Sequence, residues 1–539
     1  MGVVGLGCWA GFRNRISSGV KGYFLAGRTL TWPVIGLALF STNISTVHLV
    51  SLAQEGYKNG LAYGNFEWMA AFTLIALGLF FAPFYIRAQV STLPQFLEKR
   101  YNSACRDWLA ILSIISAVFI HIGFSLYAGA VILKSMFGWN IYMSITLAAV
   151  FSGIYTIIGG LLAVSLTGAI QTVILVGGAL LLTVIGLFQV GGWQGLASSV
   201  ESVKLTILRP AGDPSGLPWY SVFFGYPVIG LWYWCADQTI VQRVLGAKDE
   251  NHARVGAIFA GFIKILPVFI FVLPGLVCLG LVNQGKLPAE VNPSADNTYA
   301  FMIGHLLPAG LKGLLAAALL AALMSTVSGA LNSIATLFSY DIYKRWRPKT
   351  SDRKLIFVGR VATFIAMITA ITWSPFLSHF ESIFQGLNVM ICYIAPPITV
   401  VFLWGVFWRR ASSVGAQATL YAGSFMGFLI FLIDWFHTND RLFSWLHKKL
   451  PFLDNLWVAW QNYNIPFMMM AFYLFMACSI ILVIGSIWKE HQHTEESAAL
   501  VWTNLAECLS SPGWKGFGNY KFLAVFLFFL MVLLYAIFA

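Results

Sequence analysis

Ser41-Thr42-Asn43-Ile44-Ser45-Thr46 lies near the middle of an otherwise apolar stretch running from about residue 31 to 55, and five of its six side chains are hydroxyls or amides. Such side chains bond to the nearby backbone and compete with the helix ladder. Their density is too great for incidental back-bonding in an intact helix. The stretch therefore predicts a membrane helix broken at its centre, offering carbonyls and helix ends to a ligand. A second break is predicted at Gly230–Gln238 (GLWYWCADQ), at the end of the apolar stretch 219–237.

Composition agrees with that reading. The 539 residues are 58% hydrophobic and only 10% charged, with a mean hydropathy of +0.77. Soluble domains carry about 25% charged residues. Runs long enough to cross the bilayer recur at roughly 31–55, 61–86, 107–133, 140–160, 161–190, 219–237, 254–281, 309–340, 355–375, 383–407, 414–435, 466–487 and 521–538, numbered here as spans 1 to 13. Backbone in hydrocarbon must satisfy its own hydrogen bonds, and the alternating segments of a barrel are missing, so these runs predict helices. Met1–Gly11 (MGVVGLGCWAG) is about half a span long and reads as the tail of a further one, giving about 14 helices with the first truncated. The net charge of +12 follows topology rather than nucleic acid. Alternate loops, including those around Arg87–Arg106, Lys344–Lys354 and Lys489–Lys521, carry 23 Lys and Arg against 9 on the other side, which places the richer set in the cytoplasm. The seven cysteines have no CxxC spacing and read as apolar filler.

Glu67 and Lys264 are ionisable residues inside spans 2 and 7. A charge at membrane depth costs at least about 2.5–3.5 kcal/mol and implies a partner or a function. The two breaks fall in spans 1 and 6, so breaks and charges both recur at an offset of five spans. Because five is odd, the second set enters the membrane inverted. The predicted fold is an all-α polytopic membrane protein with a five-plus-five inverted-repeat, leucine-transporter-like core and extra flanking spans. Its expected divisions are residues 1–30 (truncated first span and cytoplasmic loop), 31–218 and 219–410 (the two repeats) and 411–539 (accessory C-terminal spans).

Other polar residues leave two readings. His48 follows the first break by about one turn and is either a packed polar residue or a ligand contact, whereas His121 has no such context and reads as structural. Ser325, Thr326 and Ser328 either permit close helix packing or, with the carbonyl of Ala322, offer oxygens to a hard cation. Trp232, Tyr233 and Trp234 suit an interfacial belt or an aromatic wall for a sugar.

Several longer motifs resemble the sodium/solute symporters, and within them the sodium/glucose cotransporter branch. They are YFLAGRTL (Tyr23–Leu30), STNISTVHLVSLAQEGYKNGLAYGNFEWMA (Ser41–Ala70), IIGGLLA (Ile157–Ala163), YWCADQTIVQR (Tyr233–Arg243), ALMSTVSGALNSIATLFSYDIYKR (Ala322–Arg345) and APPITVVFLWGVFWRRASSVGA (Ala395–Ala416). The resemblance implies a sugar site of Asn43, His48, Glu67, Tyr233, Trp234 and Lys264. Asn388 stands where sugar-carrying relatives have Gln, and Tyr233 would act as the inner gate. It also implies a sodium site on the carbonyls of Ser41, Ile44 and Ala322 and the hydroxyls of Ser325 and Thr326. Where relatives read Thr-Asp after the GG motif, this chain has Thr167-Gly168, which predicts slower or less tightly coupled sodium release.

The implied activity is sodium-coupled import of a glucose- or galactose-like sugar by alternating access. The chain would be a multi-pass protein of the plasma or inner membrane, with sodium co-transported and the bilayer, sugar and sodium as its partners. A sodium-coupled carrier of a polyol such as inositol or of another small polar solute, and a non-transporting sugar sensor, are the alternatives. No nucleophile–base pair, phosphate loop or metal spacing suggests an enzyme, and neither nucleic acid nor an obligate protein partner is expected.

Overall fold

The computed structural model describes residues 5, 9, 19–288, 297–379, 383–438, 465–490 and 493–539. The expected truncated first span lies almost wholly outside these. The described residues are nearly all helical and contain no β-strand. Among the described residues, ten helices are long and apolar enough to cross a membrane by length and composition.

Several spans depart from simple crossings. Span 1 is two helices, Trp32–Asn43 and Thr46–Asn59, separated by extended backbone at Ile44 (φ −74°, ψ 97°) and Ser45 (φ −96°, ψ 176°). Span 6 runs as Trp219–Leu231, widens into a π-turn over Trp232–Ala236, and breaks at Asp237 (φ −86°, ψ 121°) before Gln238–Leu245. Spans 4 and 5 lie within Ile141–Val190, which Gly160 interrupts at φ 62°, ψ −160°. An unbroken helix of that length would extend about 75 Å, far beyond a hydrocarbon core of about 30 Å. Gly160 is therefore where the chain reverses. A Cβ there would sit 2.4 Å from the Tyr23 carbonyl oxygen, so glycine serves both the left-handed φ and the close approach.

Span 7 is also interrupted. The helix Glu250–Ile263 stops before Pro267, whose ring cannot coexist with a helical carbonyl four residues earlier, and the chain resumes through a π-turn at Val268–Val272 into Leu273–Asn283. Lys264 stands at that stop. Around these broken elements pack the continuous helices Ala309–Leu337, Asp352–Trp373 and Ile383–Phe407. The C-terminal helix Tyr520–Phe538 braces span 2, with the Tyr535 hydroxyl donating to Asn65 Oδ1 at 3.0 Å. The six described cysteines are free and buried, as filler residues would be.

Candidate functional site

The broken ends of spans 1 and 6 meet spans 2, 3, 7, 8 and 10 around a central cavity of about 70 Å³. All seven residues named from sequence as substrate contacts line it: Asn43, His48, Glu67, Tyr233, Trp234, Lys264 and Asn388.

Local folding rules place them there. Ser45 N-caps the second half of span 1, accepting from Val47 N–H at 3.1 Å, while its own N–H turns to His48 Nδ1 at 3.3 Å. With that N–H turned aside, the carbonyls at the end of the first half-helix lack intrahelical donors, and that of Thr42 takes one from Thr326 instead. A His48 ring accepting at Nδ1 carries its neutral-form proton on Nε2, and Nε2 lies 3.8 Å from Glu67 Oε1. Glu67 sits in the first turn of helix Asn65–Ala76, whereas Lys264 caps the C-terminus of helix Glu250–Ile263. Each charge thus occupies the helix end whose dipole favours it.

Lys264 is the hub. Its ammonium contacts Glu67 Oε2 directly, donates to Asn43 Oδ1 at 2.6 Å, and lies 5.5 Å from the centre of the Trp234 ring. Glu67 and Lys264 are each only 1% exposed. They pair with each other. The Asn43 amide also donates to the Tyr233 hydroxyl at 3.1 Å, fastening the ring beneath the cavity. Asn388 spends its NH₂ on the carbonyl of Phe384 at 2.8 Å, so its side-chain oxygen is the group left for a ligand.

The five residues named for sodium are all buried between spans 1 and 8. Thr326 donates to the Thr42 carbonyl at 3.1 Å across that seam, and the Ser325 hydroxyl is buried with no partner. Ala322 precedes Ser325 and Thr326 by three and four residues, which puts it on the same helix face. Span 5 closes the third side at Gly168, where a Cβ would lie 2.5 Å from Ser41 Oγ and 3.2 Å from Ser325 Oγ.

Two further groups that the sequence did not point to line the cavity. His121 reads there as structural, but it lines the cavity and pairs through Nε2 with Asp237 Oδ2 at 2.8 Å. Asp237 meanwhile caps the helix after the break, accepting from Thr239 N–H at 3.1 Å. The available signals were an ionisable side chain inside a span and an Asp immediately before a helical run. The second group is a ring lid on the outer side. Phe66 and Phe384 meet edge to face with centroids 4.9 Å apart, and Tyr63, Tyr226 and Phe467 pack around them.

The model of the sodium:solute symporter family matches residues 23–423. The chain belongs to that family. It is 35% identical to mouse sodium/glucose cotransporter 4 over 93% of this chain and 76% of the relative. It is 34% identical to bovine sodium/mannose cotransporter SLC5A10 over 94% and 88%, and 35% identical to pig sodium/myo-inositol cotransporter 2 over 81% and 69%. Among solved structures, a substrate-bound, outward-open Na⁺-coupled sialic acid symporter matches with a TM-score of 0.75 at 21% identity, covering 91% of this chain and 98% of that one. The nucleobase-cation-symport-1 transporter Mhp1 matches at 0.52 and 14% identity over 88% and 96%. These two likenesses establish the fold, that of the inverted-repeat transporters. The chain is thus a multi-pass membrane protein and a sodium-coupled solute symporter.

Proposed function

We propose that the cavity binds a hexose and that the chain imports it with sodium by alternating access. The observation that carries this reading is the position of Asn43. Its side chain bonds both Lys264 and Tyr233, while the carbonyl of its neighbour Thr42 accepts from Thr326 of span 8 at 3.1 Å. One short break therefore belongs to both ligand sites. Sodium on the carbonyls of Ser41, Ile44 and Ala322 and the hydroxyls of Ser325 and Thr326 would fix the break in one geometry. That geometry sets where Asn43 stands for the sugar.

The sugar hydroxyls would replace the internal Glu67–Lys264 contact, accepting from the ammonium and donating to the carboxylate, with His48 Nε2–H and the Asn388 oxygen completing the ring. Trp234 and the outer phenylalanines supply apolar faces for sugar C–H groups. Release requires Tyr233 to leave Asn43. Because each ligand shifts the equilibrium only by its differential affinity, the coupling between them is reciprocal. The electrical part of the drive is about 2.3 kcal/mol per charge per 100 mV. In this scheme the repeats 31–218 and 219–410 move against each other, while 411–539 braces them from outside.

The test is uptake into proteoliposomes of labelled glucose, galactose, mannose and myo-inositol, with and without an inward sodium gradient. Accumulation of a hexose above its external concentration, only with sodium, is expected. Preference for inositol would move the substrate to the polyols. Sugar-gated current without accumulation would make the protein a sensor.

A further inference from the structure

A second cavity, of about 570 Å³, opens on the outside of the bundle where spans 3, 8 and 9 meet, and shares no lining residue with the central one. Its walls are apolar: Ile115, Val118 and Phe119 from span 3, Phe338 from span 8, and Phe357 and Ile365 from span 9. Phe357 and Ile365 are 64% and 59% exposed. From Phe357 to Thr369 the wall rises about 18 Å at helical pitch. That is close to the hydrocarbon depth of one leaflet, about 15 Å.

The end of the groove near Phe357 and Tyr343 adjoins the turn Lys344-Arg345-Trp346-Arg347-Pro348-Lys349-Thr350-Ser351-Asp352-Arg353-Lys354, which has six basic residues and one acid. The turn is held by bonds from Arg347 N–H to the Tyr343 carbonyl at 2.9 Å, from the Thr350 hydroxyl to the Arg347 carbonyl at 2.6 Å, and from Leu355 N–H to the Ser351 carbonyl at 3.1 Å. Arg345 pairs with Asp107, while Lys344, Arg347, Lys349, Arg353 and Lys354 stand exposed. Trp346 is 78% exposed beside them, as an interfacial anchor would be.

Cytoplasmic placement by itself accounts for positive charge, but not for an apolar groove one leaflet deep opening beneath it. We propose that the groove holds an acyl chain of an anionic phospholipid from the cytoplasmic leaflet, whose phosphate is bound by the basic turn at residues 344–354. Basic clusters just cytoplasmic of membrane helices attract anionic headgroups, and the groove supplies the second, apolar half of the recognition.

Native mass spectrometry of the full-length protein, loaded with equal phosphatidylglycerol and phosphatidylcholine of identical chains, tests this. Phosphatidylglycerol should be retained about tenfold over phosphatidylcholine. The surface variant K344Q/R347Q/R353Q/K354Q should bring the two lipids near parity. Val361→Trp, which fills the groove from a partly exposed position, should lower retention of both. Equal retention by the wild-type protein, or a preference unchanged in both variants, overturns the proposal. Displacement of the lipid by inorganic phosphate alone would also overturn it, because the groove would then contribute nothing.

Discussion

The two ends of the central cavity are closed by different chemistry. On the outer side the barrier is aromatic: Phe66, Tyr63 and Phe384 are 7%, 4% and 2% exposed, and their polar neighbours are satisfied, with the Tyr226 hydroxyl on the Phe66 carbonyl at 2.9 Å. Below Tyr233 the packing is polar and incomplete. Thr239 Oγ1, Gln242 Oε1, Arg243 Nε and Nη2, Ser325 Oγ, Asn332 Oδ1 and Nδ2, and Ser333 Oγ are buried without partners. An unsatisfied buried polar group costs about 1–3 kcal/mol, whereas an aromatic pair contributes about 0.5–1.5 kcal/mol beyond its buried area. Water entering the inner half therefore gains hydrogen bonds, and parting the outer rings forfeits contacts. The outer end is held by ring contacts, the inner end by hydrogen bonds such as Asn43–Tyr233, Gln242–Phe24 and Gln242–Thr336.

The largest effect expected on either side of this divide comes from the pair at its centre. Lys264→Ala or Glu67→Gln leaves a charge buried without its partner, a change that costs about 3–5 kcal/mol. Each should lower sodium-driven uptake at least about a hundredfold at equal surface expression; uptake near wild type in either variant removes the pair from the substrate site. Next come variants that separate the two ends. Asn332→Leu replaces an amide with both polar atoms unpartnered by an apolar group of similar size, favouring the dry, closed inner half. Turnover should fall about tenfold while sugar binding from outside is kept. Phe384→Ala removes ring contacts from the lid and should weaken sugar retention without slowing release. If both variants alter the same step, the contrast between the ends is wrong. The smallest effect belongs to Gly168→Asp, which sets a carboxylate against Ser41 and Ser325. The sodium concentration for half-maximal uptake, or the turnover, should shift about three- to tenfold, and an unchanged sodium response would sink the proposed role of this wall.

Much of the polar framework was legible in the sequence because polarity in a membrane is expensive. Five polar side chains at Ser41–Thr46, a Glu and a Lys at matching offsets, and the sequence YWCADQ each stand out against apolar surroundings, and from them Asn43, Ser45, Glu67, Tyr233, Trp234 and Lys264 line the cavity. The ring lid was not legible. Phe66 and Phe384 are two of 44 phenylalanines, and in helices apolar on every face no periodicity separates a ring facing the cavity from one facing lipid. The place of His121 at the cavity was not legible for a related reason. Its partner Asp237 lies 116 residues away, and only the break in span 6 turns that carboxylate back toward span 3.

The central claim is that Glu67 and Lys264 exchange their mutual contact for one substrate, whose binding is linked to sodium through Asn43. Equilibrium binding of labelled hexose to the purified protein, titrated in sodium and in choline, measures this most directly. Sodium should raise hexose affinity, saturating hexose should raise sodium affinity by the same factor, and both effects should vanish in Lys264→Ala. Hexose affinity that is equal in sodium and choline, or that survives Lys264→Ala, would contradict the account.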